Sequence, residues 1–134
     1  MSDDAKAFYQ TWSSRMSRAK SEARNAAGGF GSLYQAVMKP GALTVREKEL
    51  VALGIAMALR CEPCIYTHAE KARFVGATRE EIMEGASVAV MMQGGPTYTY
   101  LPKLVEALDE IDGRQPAGPA GGGQATGRST AVTT

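Results

Sequence analysis

The chain has 134 residues, which suits one folded domain and is short for two. Its hydrophobic fraction is 44% and its charged fraction 22%, the balance of an ordinary globular protein with a buried core. The formal net charge is +1, so no bulk electrostatic attraction to nucleic acid or to an anionic membrane is expected. The first residues lack the apolar run of a signal peptide, and no segment approaches the roughly 20 apolar residues of a membrane span, so a cytoplasmic location is predicted.

Apolar residues recur at helical spacing through the N-terminal part of the chain. A first helix is predicted from about residue 3 to residue 27, with Gly28-Gly29 ending it. A shorter helix is predicted next, and it is expected to stop at Pro40-Gly41. The apolar positions behind these two predictions are Phe8, Trp12, Met16, Ala19, Leu33, Tyr34, Val37 and Met38.

The middle of the chain carries two further helix signals. Thr44 and Glu47 have the spacing of a capping box, in which each side chain bonds to a free amide at the start of a helix. Residues 50–59 are almost entirely apolar and predict a buried central helix. The next helix is expected to begin near Pro63, because proline has no amide proton to lose in a first turn, and to end at Gly76.

Two more helices complete the prediction. Thr78 and Glu81 form a second candidate capping box, and Gly94-Gly95-Pro96 is expected to stop the helix that it opens. A last helix is predicted to end before Gly113. Residues 114–134 contain almost no large apolar side chain and are predicted to form a flexible tail, since they bury too little to offset the entropy of ordering. The fold is therefore predicted to be all-α, with about six helices in one domain over residues 1–113.

Both cysteines and the only histidine lie within eight positions, as Cys61, Cys64 and His68. A pair three residues apart constrains the unfolded chain little, so a chemical role is favoured over a structural one. If a helix includes Cys61, all three side chains share one face, and if it begins near Pro63, Cys64 and His68 still form an i, i+4 pair. In the second case Cys64 lies in the first turn, where the amide dipoles favour a thiolate.

An acid that orients His68 is most simply supplied by the preceding helix. Glu47 is occupied if the capping box forms, which leaves Glu49. Twelve residues of continuous helix would separate Glu49 from Cys61 by about 18 Å. A turn near Arg60 would instead bring Glu49 level with the second turn of the next helix, beside His68. From the residues alone, an acid in a first turn is more often an exposed partner of the helix dipole.

The spacing of Glu49, eleven residues, Cys61-x-x-Cys64, three residues and His68 resembles the signature of the alkyl hydroperoxidase D-like group of the carboxymuconolactone decarboxylase family. Residues 44–108 look like the core of that family. The resemblance implies a compact helical domain with a central helical hairpin, assembled into homotrimers or homohexamers. It also implies that Glu49 and His68 form a proton relay, that Cys64 is the nucleophile and that Cys61 is the resolving thiol.

The leading prediction is a thiol-dependent peroxidase or disulfide reductase that acts on a hydroperoxide or a small disulfide. The resemblance implies an external dithiol as reductant, either lipoyl or thioredoxin-like, and no cofactor or metal enters the predicted cycle. Glu62-Pro63 stand where the better-known peroxidase of the family has a histidine, and a negative charge beside the thiols opposes thiolate formation. The order in which Cys61 and Cys64 attack stays open, because the upstream cysteine of other Cys-x-x-Cys proteins is often the activated one.

Three other interpretations use the same residues. The two cysteines are small buried residues in the first. In the second, Cys61, Cys64, His68 and Glu49 bind zinc within a non-enzymatic oligomeric module, or the cluster binds a partner. The third is a lyase of the decarboxylase branch, against which the cysteine pair argues because that branch is not expected to carry it. Covalent haem attachment is excluded, since Ile65 rather than histidine follows Cys64.

Overall fold

The computed structural model describes residues 3–114, and every regular element in that part of the chain is a helix. The all-α prediction is therefore confirmed for these residues. Six helices are longer than a single turn, and α6 is a single turn that begins at Gly95. In chain order the helices are α1 (Asp4–Glu22), α2 (Arg24–Met38), α3 (Val45–Leu59), α4 (Glu62–Phe74), α5 (Arg79–Gln93), α6 (Gly95–Tyr98) and α7 (Leu101–Arg114).

Two predicted boundaries are wrong. Gly28-Gly29 does not end a helix, because α1 gives way to α2 at Ala23 and α2 then continues through both glycines. The amide of Ala23 still bonds to Ala19, and its carbonyl accepts from Ala27, so the chain bends without losing these bonds. Glycine weakens a helix interior by about 1 kcal/mol but does not forbid it. The last helix includes Gly113 and ends at Arg114, and the rest of the predicted tail lies outside the described residues.

Both predicted capping boxes are present. At the start of α3 the amide of Glu47 donates to the Thr44 hydroxyl over 3.1 Å, and the amide of Thr44 donates back to the Glu47 carboxylate over 2.9 Å. The bond from the Thr44 amide, and after it the Thr44 hydroxyl, lower the pKa of the Glu47 carboxyl. Thr78 and Glu81 repeat the arrangement at the start of α5. Glu47 is thereby occupied, as the sequence predicts, and the adjacent turn of α3 is left to present Glu49.

The core lies where α3 packs against α4 and α5, with α7 and α1 closing over α4. Burying a side chain of leucine size contributes about 1.5–3 kcal/mol. The largest fully buried apolar side chains are Tyr66, Leu53, Met57, Ile65, Ile82, Leu104, Leu108 and Ile111. Phe8 of α1 is also buried, and Trp12 stacks on it with ring centroids 4.8 Å apart. This arrangement holds the α3–α4 pair in the middle of the domain.

The central helix is buried on one face only. Leu53 and Met57 are fully enclosed, whereas Val51, Ile55 and Leu59 are exposed by 54%, 54% and 71%. The prediction of a buried helix is therefore correct for one face and wrong for the other. Met91 and Met92 of α5, which their aliphatic surroundings assign to the core, are likewise exposed. Among residues 3–114, no helix combines the length and the apolar character needed to cross a bilayer.

The chain turns at Arg60, which is the condition for pairing Glu49 with His68. Arg60 has left-handed backbone angles, φ 53° and ψ 41°, and its amide bonds to the carbonyl of Met57 over 3.1 Å. The next amide, that of Cys61, bonds to the carbonyl of Ala56 over 3.1 Å. This pair of bonds is a Schellman motif, in which the left-handed position is usually glycine. The chain is thereby reversed between α3 and α4 within two residues.

Because an arginine occupies this left-handed position, we expect Arg60→Gly to raise the free energy of unfolding by about 0.5–1 kcal/mol. Arg60→Ala is the matched control, since alanine removes the same side chain but keeps the cost of the left-handed backbone. The two variants are to be compared with the parent protein by urea unfolding. Equal stability of the glycine and alanine variants would contradict the predicted backbone cost.

Candidate functional site

The reversal at Arg60 brings Glu49 of α3 beside His68 of α4. Nδ1 of His68 lies 2.7 Å from Oε2 of Glu49, and the two side chains are only 17% and 5% exposed. An ionised carboxylate can only accept hydrogen bonds, so the imidazole proton then sits on Nδ1 and Nε2 remains an acceptor. The more common expectation for an acid in a first turn, an exposed partner of the helix dipole, is wrong for Glu49. The geometry can present one imidazole nitrogen as a base.

The cysteine pair begins α4. Cys61 is the N-cap residue and Cys64 lies in the first turn, so the helix starts after Cys61 rather than including it. The two sulfur atoms are at disulfide distance, 2.05 Å, and the Cα atoms are 5.2 Å apart, within the range that a disulfide requires. Sγ of Cys61 also accepts the amide of Cys64 over 3.3 Å, in the place where a side-chain oxygen usually caps a helix.

Cys64 and His68 share one face of α4. Cys64 and His68 are four residues apart, which brings their Cβ atoms to about 5–6 Å from each other. Both cysteines and His68 are half-buried, whereas Glu49 is buried. The four residues singled out from the sequence are thus brought together, and their catalytic roles stay a prediction.

Two further residues join the cluster. The Tyr34 hydroxyl of α2 lies 3.3 Å from Oε1 of Glu49, and Nζ of Lys71 donates to that hydroxyl over 2.8 Å. The sequence treats Tyr34 as one more apolar position of a helix and does not single out Lys71. Lys71 follows His68 by three residues, so a shared helix face is the available signal for it. For Tyr34 no periodic relation links α2 to the cysteines.

Residues 25–107 match the sequence model of the carboxymuconolactone decarboxylase family. The chain belongs to this family. It is 43% identical over 84 residues to protein 4 in the cox locus of Paracoccus denitrificans, a match that covers 63% of this chain and 76% of that protein. It is 30% identical over 87 residues to a protein of Cupriavidus necator, covering 65% of this chain and 77% of the relative.

Solved structures from the same family have the same fold. A carboxymuconolactone decarboxylase family protein from Legionella pneumophila, solved in its apo form, superposes with a TM-score of 0.76 at 35% identity, covering 82% of this chain and 98% of that one. A family protein from Thermotoga maritima superposes with a TM-score of 0.62 at 34% identity, covering 66% and 91%. Involvement of the Thermotoga protein in an antioxidative response has been suggested.

In this member of the family the acid between the cysteines has a partner. The Glu62 carboxylate lies 3.2 Å from Nζ of Lys103, which reaches α4 from α7. Both side chains are partly exposed, so the stabilisation gained from the pair is small. The ammonium nevertheless offsets the negative charge that the sequence places beside the thiols. The objection that Glu62 opposes a thiolate is correspondingly weaker.

The zinc interpretation draws no support from the described geometry. Within residues 3–114, no three side chains of histidine, cysteine, aspartate or glutamate are arranged to hold a metal ion. The sulfurs of Cys61 and Cys64 face each other at bonding distance, and the Glu49 carboxylate is directed at His68 Nδ1. In the disulfide form, these donor atoms are engaged with one another.

We expect His68→Ala to lower the free energy of unfolding by about 2 kcal/mol at pH 7, because the buried Glu49 carboxylate loses its principal partner. Adding Glu49→Gln to that variant should recover part of the loss, since a neutral amide costs less to bury than a charge. Urea unfolding of the parent, both single variants and the double variant gives the coupling energy. A coupling near zero would contradict a stabilising contact between the two side chains.

Proposed function

We propose that this protein is a thiol-dependent peroxidase or disulfide reductase that cycles Cys61 and Cys64 between dithiol and disulfide. The observation that carries the proposal is the cysteine pair at the N-terminus of α4, one turn from a histidine hydrogen-bonded to a buried glutamate. Membership of the carboxymuconolactone decarboxylase family supports it. The antioxidative role suggested for the Thermotoga relative supports the same class of chemistry.

The first step uses the reduced protein and a hydroperoxide. His68 takes the proton of the Cys64 thiol, and the Glu49 carboxylate stabilises the imidazolium that forms. The Cys64 thiolate attacks one peroxide oxygen, the O–O bond breaks, and the sulfur becomes a sulfenic acid. The departing alkoxide takes the proton from His68 and leaves as an alcohol, so sulfur loses the two electrons that the peroxide gains.

The second step closes the disulfide. The Cys61 sulfur attacks the Cys64 sulfenic acid, the S–O bond breaks, and water leaves as the S–S bond forms. In the disulfide that results, the two Cα atoms are 5.2 Å apart, an ordinary separation for such a bond. A small disulfide substrate would follow the same order, with a mixed disulfide on Cys64 in place of the sulfenic acid.

The third step restores the dithiol. An external dithiol, lipoyl or thioredoxin-like, attacks the Cys64 sulfur, the intramolecular disulfide opens, and Cys61 leaves as a thiolate. The Cys64 amide 3.3 Å from Sγ of Cys61 and the dipole of α4 favour that thiolate. The second thiol of the donor then displaces Cys64 from the mixed disulfide. We place the cycle in the cytoplasm, where such donors are kept reduced.

We expect Cys64→Ser to abolish turnover of an organic hydroperoxide, because the attacking sulfur is gone. Cys61→Ser should retain the first step and stop there, leaving a sulfenic acid on Cys64 that mass spectrometry detects after trapping. One equivalent of hydroperoxide should take the wild-type free thiol count from two to zero within one chain, and about 100-fold more slowly in His68→Ala.

Glu47→Gln is the control for loss of a carboxylate on α3 outside the proposed Glu49–His68 relay. Glutamine also completes a capping box, so turnover should be largely retained. Full turnover by Cys64→Ser would contradict the assignment of the nucleophile. Survival of both thiols together with tight, stoichiometric zinc binding would make the redox proposal wrong. Activity on a lactone acid that persists after alkylation of both cysteines would favour a lyase.

We also propose that the protein works as a homo-oligomer, a trimer or a hexamer, as the family resemblance implies. Most of the large exposed apolar side chains lie on α2, α3 and α5, and extensive exposed apolar surface marks interaction sites. On α3 they form a stripe at i, i+4 and i+8. The residues are Phe30, Leu33, Val37, Val51, Ile55, Leu59, Val88, Met91 and Met92.

Ile55→Glu places a charge in the middle of the α3 stripe and should dissociate the assembly, because a desolvated unpaired carboxylate is costly at an interface. Its circular dichroism should be unchanged, since the side chain is exposed in the single chain. Lys20→Glu, on the exposed surface of α1, is the control and should leave the mass unchanged. Sedimentation equilibrium measures both, and a monomeric wild-type protein would contradict the proposal.

A further inference from the structure

The two oxygens of the Glu49 carboxylate are bonded by two different helices. Oε2 faces Nδ1 of His68 on α4, at 2.7 Å. Oε1 accepts the hydroxyl of Tyr34 on α2, at 3.3 Å. The Tyr34 hydroxyl in turn accepts an N–H of Lys71 at 2.8 Å, so one chain of hydrogen bonds runs from Lys71 to His68.

We propose that Tyr34 and Lys71 are positioning residues that fix the Glu49 carboxylate and thereby hold the His68 proton on Nδ1, leaving Nε2 free as the base. The tautomer of His68 does not depend on the proposed function, whereas its consequence for catalysis rests on that function. Within the described part of the chain, their side-chain hydrogen bonds run to Glu49 and to each other. Both act through Glu49.

The direction of each bond in the chain follows from the donors. A lysine ammonium has three protons and no acceptor, so the Tyr34 oxygen must accept from Lys71. The single Tyr34 proton is then free to be donated to Glu49, whose carboxylate accepts from both sides. The remaining donor, Nδ1–H of His68, is directed at the other carboxylate oxygen. Reversing any of these bonds would leave two donors or two acceptors facing each other.

A second bond on the carboxylate changes what the first can do. The terminal torsion of glutamate has a broad minimum, so one hydrogen bond to His68 leaves the carboxylate plane free to rotate. The bond from Tyr34, which arrives from another helix, restrains that rotation. A donor that itself accepts from a cation is also a stronger donor, because hydrogen bonds in a chain polarise one another.

Burial along the chain increases from Lys71 to Glu49. Lys71 is exposed, Tyr34 is half-buried and Glu49 is buried. The ammonium therefore keeps its hydration while the Tyr34 hydroxyl transmits its effect inward. The tyrosine ring also contacts both neighbours on α4: Nζ of Lys71 lies 4.3 Å from its centroid, and the His68 ring stacks at 6.5 Å with an interplanar angle of 25°.

The alternative is a purely mechanical role, in which Tyr34 and Lys71 only attach α2 to the rest of the domain. That helix has no buried residue of its own to hold it there. Lys48 of α3 attaches it independently, donating from Nζ to the carbonyl of Val37 over 2.8 Å at the end of α2. Lys48 therefore provides a control that loosens α2 without touching the Tyr34 hydroxyl.

The single histidine of the chain makes the test direct. In untagged protein labelled with 15N-histidine, the ring shifts give the tautomer of His68, and saturation transfer gives the exchange of its Nδ1 proton with water. In Tyr34→Phe, which keeps the ring contacts and removes the hydroxyl, we expect this exchange to be about fivefold faster, the factor of one ordinary hydrogen bond. A population of the Nε2–H tautomer should appear as well.

Lys71→Met should change the exchange in the same direction by about twofold, and Lys71→Arg should restore it, since arginine also donates to the hydroxyl. Tyr98→Phe and Lys20→Met, at exposed positions outside the cluster, are the matched controls. Unchanged exchange and tautomer in Tyr34→Phe would overturn the proposal, even if the variant is less stable. An equal acceleration in Lys48→Met would also overturn it, because docking of α2 would then be the cause.

The hydroperoxide reaction of Cys64 is to be measured in the same set of variants. Slower thiol loss in Tyr34→Phe, in step with faster Nδ1–H exchange, would support the positioning role in catalysis. If wild-type thiols do not react at all, the proposed function is wrong, and the resonance data alone decide whether Tyr34 and Lys71 fix His68. The two failures are thereby separate.

Discussion

The arrangement of α2, α3 and α4 depends on the hydrogen bonds of the buried Glu49 carboxylate. A charge 5% exposed is tolerated only when its oxygens are hydrogen-bonded, and the cost of leaving one unpaired is several kcal/mol. Glu49 obtains its donors from α4 and α2, never from its own helix. The contact between Glu49 and His68 thereby fixes the register of α4 against α3 within an otherwise apolar interface. The contact between Glu49 and Tyr34 fixes the position of α2. The Schellman turn at Arg60 makes this possible, because it reverses the chain within two residues and sets Glu49 opposite the second turn of α4.

In the proposed cycle, the two sulfurs at the N-terminus of α4 would have different tasks. Cys61 caps the helix and accepts the amide of Cys64, an environment suited to a sulfur that carries negative charge when a disulfide opens. Cys64 lies on the face of His68, an environment suited to a sulfur that must lose a proton. Glu62 would disfavour both thiolates, and its pairing with Lys103 moderates that effect. In the proposed cycle, the same first turn would serve both directions of thiol–disulfide exchange with different groups.

Features that depend on neighbours in the sequence could be predicted, and those that depend on distant residues could not. The two capping boxes follow from residues three positions apart, and the turn near Arg60 follows from asking how Glu49 could reach His68. No glycine or proline at Ala23 indicates the bend there. Gly28-Gly29 predict a helix end, but α2 continues through both residues. Apolar character predicts that Met91 and Met92 avoid water, but it does not say whether their own chain covers them. The approach of Tyr34 to Glu49 depends on the packing of α2, which no local pattern encodes.

Helix α2 contributes both an exposed apolar face and, through Tyr34, one member of the cluster around His68. Phe30, Leu33 and Val37 lie along the exposed face, and Tyr34, next to Leu33, is directed at Glu49. A helix with no buried residue has little to hold it in a single chain, since most helical stability in proteins comes from packing of an apolar face. If the proposed assembly covers that face, it also fixes the hydroxyl that restrains the Glu49 carboxylate. Association would then fix the orientation of His68, the base of the proposed thiol chemistry, without contributing a residue to the site. Tyr34 belongs to α2, so an interface that holds α2 in place also holds the Tyr34 hydroxyl against Glu49.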